Sequence, residues 1–396
     1  MKIYLKQNVF DAALERMRYL FDEFPNVVVN MSGGKDSTVC FNLAMKVAEE
    51  RGRLPLKVMF IDQEAECDCV IDYVREVMHD PRVEPYWYQI PLRLFNATST
   101  DEPWLHCWKE GGEWIREKEP DSIHVNRFGT DRFKELFGPI MATEFPGQKS
   151  CYIAGVRAEE SPTRLLGLTS SLTYKEITWG KFLDKKTEQF TFYPLYDWSY
   201  TDIWKAIHDH DWQYCKLYDH MYQYGIAARD MRVSNVHHET AIKSLYFLQE
   251  VEPDMWNRLV TRLKGVNTAG QTKADLFDVK ELPFMFESWT EYRDYLLENL
   301  IPDNEAKAAF KRHFKTIDRV YIHDEIKRVM AQVCIKAILK NDWHSTTIET
   351  FTRRPQVYTY RKWRKGEEVF GANPYIPADS SKTGSVETAS VTNGEA

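Results

Sequence analysis

Apolar positions recur at helical spacing over residues 9–24, where Val9, Ala13, Met17, Leu20, Phe21 and Phe24 alternate with Asp11, Glu15 and Arg18. This spacing predicts an amphipathic helix that covers one face of a sheet. The β-branched run Val27-Val28-Val29 predicts a buried strand, and Val39, Leu43, Ala44, Val47 and Ala48 a second helix, stopped by Gly52. Residues 56–61 read as a strand ending in Asp62-Gln63-Glu64, 66–78 as a helix, 85–90 as a third strand and 151–156 as a fourth. Alternating helices and strands joined by right-handed crossovers predict an α/β fold, a parallel sheet sandwiched by helices. The stretch 95–150, with Trp104, Trp108 and Trp114 among turn residues, fits no long element. It is expected to be an insertion over the carboxyl end of the sheet, as a lid, a partner surface or an aromatic-stabilised loop region.

Beyond residue 235 the pattern turns helical, with helices expected over 239–250, 254–264, 288–300, 304–320 and 324–340 and breaks at Pro253, Gly265, Pro283 and Pro302. The expected organisation is therefore a catalytic domain over 1–235, an α-helical C-terminal extension over 236–373 and a disordered tail over 374–396, rich in Ser, Thr, Gly and Ala.

A length of 396 residues, 43% of them apolar, suffices for a sizeable core and more than one domain. The net charge of -7 gives no global reason to expect nucleic acid or an anionic membrane. Nothing approaches a membrane-spanning length and the first residues lack an apolar signal core, so the expected compartment is the cytoplasm. Seven scattered cysteines without a Cys-x-x-Cys pair do not form a disulfide framework. Cys67 and Cys69 fit a helix following a strand, and Cys334, within Val333-Cys334-Ile335, fits a buried structural thiol. His237-His238-Glu239 is a poor metal set, since adjacent histidines do not share a helix face.

The candidate chemistry begins where the first strand breaks into Ser32-Gly33-Gly34-Lys35-Asp36-Ser37. A strand ending in small residues before a helix leaves amide N–H groups free to converge on phosphate oxygens. Lys35 adds a cation, and Ser32 and Ser37 add hydroxyls. A Walker loop needs Gly where Val29 stands and Ser or Thr where Asp36 stands, so this is a different phosphate loop. After the fourth strand, Arg157-Ala158-Glu159-Glu160-Ser161-Pro162-Thr163-Arg164 offers two guanidinium groups as a second anion site, with Glu159 and Glu160 able to hold the arginines or a Mg²⁺.

The loop at 32–37 resembles the pyrophosphate loop of the adenine-nucleotide α-hydrolase superfamily, whose fold is Rossmann-like and whose members act at the α-phosphate of ATP or a related nucleotide. The resemblance implies nucleotide contacts from Ser32, Gly33, Gly34, Lys35, Asp36 and Ser37, a Mg²⁺ near Asp36, and an acidic residue, here Asp62, facing the nucleotide. Gly155, Arg157, Glu160, Ser161 and Arg164 match the Gly-x-Arg-x-x-Glu-Ser-x-x-Arg segment that clamps the phosphosulfate in the phosphoadenosine phosphosulfate (PAPS) reductase family. Residues 193–204, with a capping box from Ser199 and Asp202, are similar to that family's Pro-containing turn into a helix. The family's C-terminal Glu-Cys-Gly-Leu-His segment and its relatives' cysteine pairs have no counterpart, so neither the reductase thiol nor an iron–sulfur cluster is expected. Residues 218–225 and 231–235 resemble a bacterial and phage branch with a helical extension, for which the resemblance implies a ParB-like partner.

The leading expectation is an enzyme that cleaves ATP at the α-phosphate, with Lys35, Asp36, Arg157 and Arg164 as its charged machinery and an acceptor that the sequence does not reveal. The alternatives are a PAPS reductase or sulfotransferase using an external thiol, and a nucleotide-gated module that binds protein or nucleic acid. For the last, Arg353, Arg354, Arg361, Lys362, Trp363, Arg364 and Lys365 interleave basic charge with aromatics, as single-stranded nucleic acid requires.

Overall fold

The first part of the chain alternates helix and strand because its buried runs are flanked by residues that start or stop a helix cleanly. In the computed structural model, which describes residues 5–99, 101–169, 173–184, 186–233, 236, 245–267, 279–369 and 372–376, α1 (Val9–Glu23) is capped by the Asn8 side chain, which accepts the Asp11 N–H. β1 (Asn26–Asn30) leads into α2 (Lys35–Glu50), and β2 (Leu56–Ile61) into α3 (Asp68–Met78) and β3 (Val83–Tyr88). A hairpin of β4 (Leu92–Phe95) and β5 (Trp104–Cys107) precedes α4 (Phe133–Glu144) and β6 (Ser150–Ile153). Next come a 3₁₀ turn (Ala158–Glu160), α5 (Pro162–Thr169), β7 (Thr173–Tyr174), β8 (Ile177–Asp184), β9 (Gln189–Phe192), α6 (Tyr200–Asp209) and α7 (Leu217–Gln223).

The main sheet runs β3-β2-β1-β6-β9-β8-β7. Its first five strands are parallel, with Val29 paired to Val58 on one side and to Ile153 on the other. β8 and β7 close one edge antiparallel, two strands absent from the sequence expectation. The turn joining them sits at Lys175 and Glu176, whose φ values of 45° and 63° belong to the left-handed region without a Gly or Asn to announce it. The stretch 95–150 likewise contains α4, unforeseen because Pro139 lies inside it.

The chain divides into two compact units, Met1–Thr272 and Lys273–Ala396, so the boundary expected at 235/236 falls later. The reason is that α8 (Leu245–Val251) and α9 (Pro253–Arg262) share the first unit's core, which extends to Val266. The Glu252 carboxylate accepts the Asp68 and Cys69 N–H groups at 2.8 and 3.0 Å, capping α3 from a distant stretch of chain. Arg258 and Arg262 bind Asp68 and Glu64.

The second unit is helical: α10 (Trp289–Leu300), α11 (Glu305–Val320), α12 (Asp324–Leu339), α13 (Thr346–Thr352) and α14 (Pro355–Arg364). Ser288 and Asn304 cap α10 and α11, while Phe310, Phe314 and Ile317 of α11 and Ile326, Met330, Cys334 and Ile338 of α12 are buried. Among the described residues no helix is long and apolar enough to cross a membrane.

Candidate nucleotide site

The strand order reverses between β1 and β6, because the crossover from β1 goes to β2 on one side while β6 flanks it on the other. Ligands of open α/β sheets lie beyond the carboxyl ends of the strands at such a point, and both sequence-derived anion segments emerge there.

After β1 the chain turns through Ser32, Gly33 and Gly34. Gly33 has φ +70°, and a Cβ on it would lie 2.6 Å from Val70 Cγ1, so the turn excludes any side chain. The Ser37 hydroxyl accepts the Ser32 N–H at 3.2 Å, lies 3.1 Å from the Ser32 hydroxyl and donates to the Gly34 carbonyl at 2.8 Å. The two serines thus brace the loop from within. Gly34 caps α2 without a side-chain hydrogen bond, and the Lys35 N–H donates to the Tyr218 hydroxyl at 3.0 Å.

After β6, Gly155 presses its backbone on the first turn of α2. A Cβ there would meet Asp36 C at 2.6 Å, Asp36 O at 2.7 Å and Ser37 N at 2.8 Å, all backbone atoms. Only glycine allows the second anion segment to reach the first. Arg157, 4% exposed, then donates through Nε to the Asp36 carboxylate, while its N–H donates to Glu160 Oε2 at 3.3 Å. Arg164 is half exposed, 3.6 Å from Glu160, and its N–H donates to the Ser161 hydroxyl.

Lys35 is also 4% exposed; its Nζ donates to the Met231 carbonyl at 3.0 Å and lies 3.4 Å from Asp36 Oδ2. Burial pushes its pKa below the ordinary lysine value, and Arg157 adds to this against the pull of Asp36. An ammonium held in this way gains from an arriving anion. Tyr218 and Met231 carried no signal as site residues in the sequence. They lie 183 and 196 positions from the lysine they touch.

Asp62, at the end of β2, is fully buried. Its oxygens accept from the Trp87 indole, the Gln89 amide, the Glu64 N–H and Arg116. In this structure the carboxylate organises the wall beside the site through protein donors. The insertion packs on the same wall: the Trp108 indole donates to the Asp62 carbonyl at 2.9 Å, and the Trp108 N–H to Glu64 at 2.8 Å. The Arg116 guanidinium lies 5.0 Å from the Trp108 ring.

Glu66 belongs to this buried group. Burial, and then the Asp62 charge, push its carboxyl up to about 8, with Arg116 opposing. The folded chain therefore keeps its proton where the unfolded chain releases it, so stability declines as pH rises from the ordinary carboxylate range to about 8. Glu66→Gln, a neutral isostere, is expected to remove this decline and to raise the pH 8 melting temperature above that of the unsubstituted chain. Parallel melting curves of both forms at pH 5 and pH 8 test this; identical pH slopes would refute it.

All seven thiols are shifted above the ordinary cysteine value, burial being the first cause in each. Cys334, expected as structural, is fully buried and raised to about 12. A nucleophilic thiolate needs the opposite environment.

Asp36 is one carboxylate beside an anion site, the kind of donor a protein commonly lends to Mg²⁺ while phosphates and water supply the rest. Among the described residues no three His, Cys, Asp or Glu side chains gather as a metal cage. Asp36 is the carboxylate that would serve a Mg²⁺ arriving with a nucleotide; in this structure its oxygens face Arg157 and Lys35. His237, His238 and Glu239 lie outside the described residues.

In the second unit the basic segment is an amphipathic helix, α14, begun by Pro355. Arg353, Arg354, Arg361, Arg364 and Lys365 are exposed, but Tyr360 is fully buried and Trp363 packs on His323 and Tyr360 at 5.3 and 5.6 Å. Arg353 pairs with Glu349 and Lys362 with Glu367. Of the three aromatics, Tyr358 remains as an exposed ring, so the interleaved stacking surface expected from the sequence is not assembled here.

Residues 26–107 and 139–224 match the family described as phosphoadenosine phosphosulfate reductase domain, and residues 225–361 match a domain of unknown function, DUF3440. The chain is 30% identical over 345 residues to the uncharacterized protein YbdN of Escherichia coli, covering 81% of each. It is 32% identical over 74 residues to adenosine 5′-phosphosulfate reductase of Anoxybacillus flavithermus, covering 19% of this chain and 27% of that protein. Among solved structures it is similar to Candida glabrata FMN adenylyltransferase in complex with FAD and inorganic pyrophosphate, at 14% identity and a TM-score of 0.35, over 55% of this chain and 64% of that one.

Proposed function

We infer, for a chain that belongs to the phosphoadenosine phosphosulfate reductase domain family, that it binds ATP at the switch point between β1 and β6 and cleaves it at the α-phosphate. The observation that carries this reading is the convergence of Lys35, Asp36 and Arg157 over the Ser32–Ser37 loop, a contact made possible by Gly155. The loop amides and Lys35 take the β- and γ-phosphates. Arg157 and Arg164 hold the anion from the second loop. An acceptor oxygen or nitrogen attacks the α-phosphorus; the bond from that phosphorus to the bridging oxygen breaks, its electron pair leaving on pyrophosphate. Prepositioned cations stabilise the charge that develops on the leaving group, which is the larger part of catalysis in such transfers. A Mg²⁺ held by Asp36 and the phosphates would add neutralisation of the same charge.

The raised thiols favour ATP over sulfonucleotide reduction by the chain's own cysteines, since none is poised as a thiolate. A panel of ATP, adenylyl sulfate and phosphoadenosine phosphosulfate, titrated with Mg²⁺ and a thiol donor while sulfite is followed, tests the choice. Tighter binding of ATP without sulfite release is expected. Preference for a sulfonucleotide with sulfite release would replace this reading by reduction with an external thiol.

A further inference from the structure

We infer that Arg232 is a further anion-binding residue of the phosphate site, supplied by the stretch of chain that follows the reductase-domain match. This rests on reading the site as one for an adenine nucleotide, and it concerns how the site counts phosphates.

The reductase-domain match ends at residue 224. The phosphate loop is nevertheless tied to residues on both sides of that limit. The Tyr218 hydroxyl, on α7, takes the first N–H of α2, and the Met231 carbonyl takes the Lys35 ammonium. Met231 is 2% exposed, so the backbone entering Arg232 is fixed against the loop while the Arg232 side chain reaches outward. Its Nη2 donates at 3.2 Å to the carbonyl of Glu160, inside the turn that joins Arg157 to Arg164.

Three guanidinium groups therefore surround one turn in three different ways. Arg157 is buried on Asp36, Arg164 reaches the Glu160 carboxylate, and Arg232 reaches the Glu160 carbonyl. Lys35 and Arg157 pair with Asp36, Arg164 lies on the Glu160 carboxylate, and Arg232 adds a fourth cation on a neutral carbonyl, a concentration of positive charge that favours an arriving anion. A guanidinium has five N–H donors, and one bond to a neutral carbonyl leaves the rest of Arg232 available for phosphate oxygens. Because Arg232, like Arg164, is exposed, it meets the outer part of the anion, whereas the buried Lys35 and Arg157 meet the part nearest the loop. Its ligand class is the terminal phosphate of a nucleoside polyphosphate.

The test is a calorimetric titration of AMP and ATP, each with Mg²⁺, into the full chain, Arg232→Ala and Arg232→Lys. Arg232→Ala is expected to weaken ATP by about tenfold, the loss of one exposed charge-assisted hydrogen bond, and to leave AMP affinity unchanged. Arg232→Lys should recover part of the difference. An equal loss for AMP and ATP would show that Arg232 only holds the Glu160 turn, and an unchanged ATP affinity would remove it from the site; either overturns the inference. Failure of the unsubstituted chain to bind either nucleotide would instead overturn the nucleotide reading itself.

Discussion

Lys35→Ala should lower the rate of ATP cleavage by about 100- to 1,000-fold, the scale seen when one preorganised charge-stabilising donor is removed from a reacting centre. The lysine is almost completely buried, its ammonium held between Asp36 and the Met231 carbonyl at the mouth of the phosphate loop. Its removal leaves Asp36 paired with Arg157, so the fold is expected to survive. Arginine is not a conservative replacement for a lysine that presents a single point charge, because its guanidinium is planar and forked. Titration with ATP and single-turnover kinetics of Lys35→Ala give the readout. A variant with full turnover would remove the loop from the chemistry.

Arg157→Ala is expected to damage both stability and binding. Arg157 and Asp36 have side chains 5% and 14% exposed, and removing one partner of a buried pair leaves an uncompensated charge, at a cost of about 3–5 kcal/mol. Lys35, 3.4 Å from Asp36, offsets part of this, so the lower end of that range is expected. Adding Asp36→Asn to Arg157→Ala removes the carboxylate left behind but takes from the buried Lys35 the carboxylate 3.4 Å away, so part of the melting temperature should return and ATP affinity should not. Recovery of both, or of neither, would contradict the division of labour drawn here, in which Asp36 holds Arg157 and Arg157 holds the anion.

The strand-to-helix turn at 32–37 was legible in the sequence because its causes are local. A β-branched strand, two glycines and a helix start lie within eleven residues, and the structure keeps them as β1, a turn at φ +70° and α2. The Arg157–Arg164 segment was legible for the same reason, and Gly155 explains why the two segments touch. What closes the site is not local. Tyr218 and Met231 approach Lys35 from far along the chain, and nothing in a tyrosine's neighbours says that its hydroxyl will cap a distant helix.

Elsewhere the sequence misled for identifiable reasons. Lys175 and Glu176 adopt left-handed backbone that their side chains do not favour, hiding the β7–β8 turn. Pro139 masked α4. Asp62, expected to face the nucleotide, has its oxygens occupied by Trp87, Gln89 and Arg116, a set of partners that only the packed insertion brings together. Residues 245–266 read as part of a separate helical domain, yet Glu252, Arg258 and Arg262 bind them to the first unit. In α14 the alternation of basic and aromatic residues reads as a stacking surface, but the helical period turns Val357 and Tyr360 inward.

The most direct test of the central claim is the identity of the products when the full chain turns over ATP with Mg²⁺ and a mixture of small nucleophilic acceptors, resolved by phosphorus NMR. Cleavage at the α-phosphate predicts pyrophosphate in amounts equal to AMP plus adenylylated acceptor, formed far more slowly by Lys35→Ala. Formation of ADP and inorganic phosphate would contradict it, because the bond broken would then lie at the γ-phosphate.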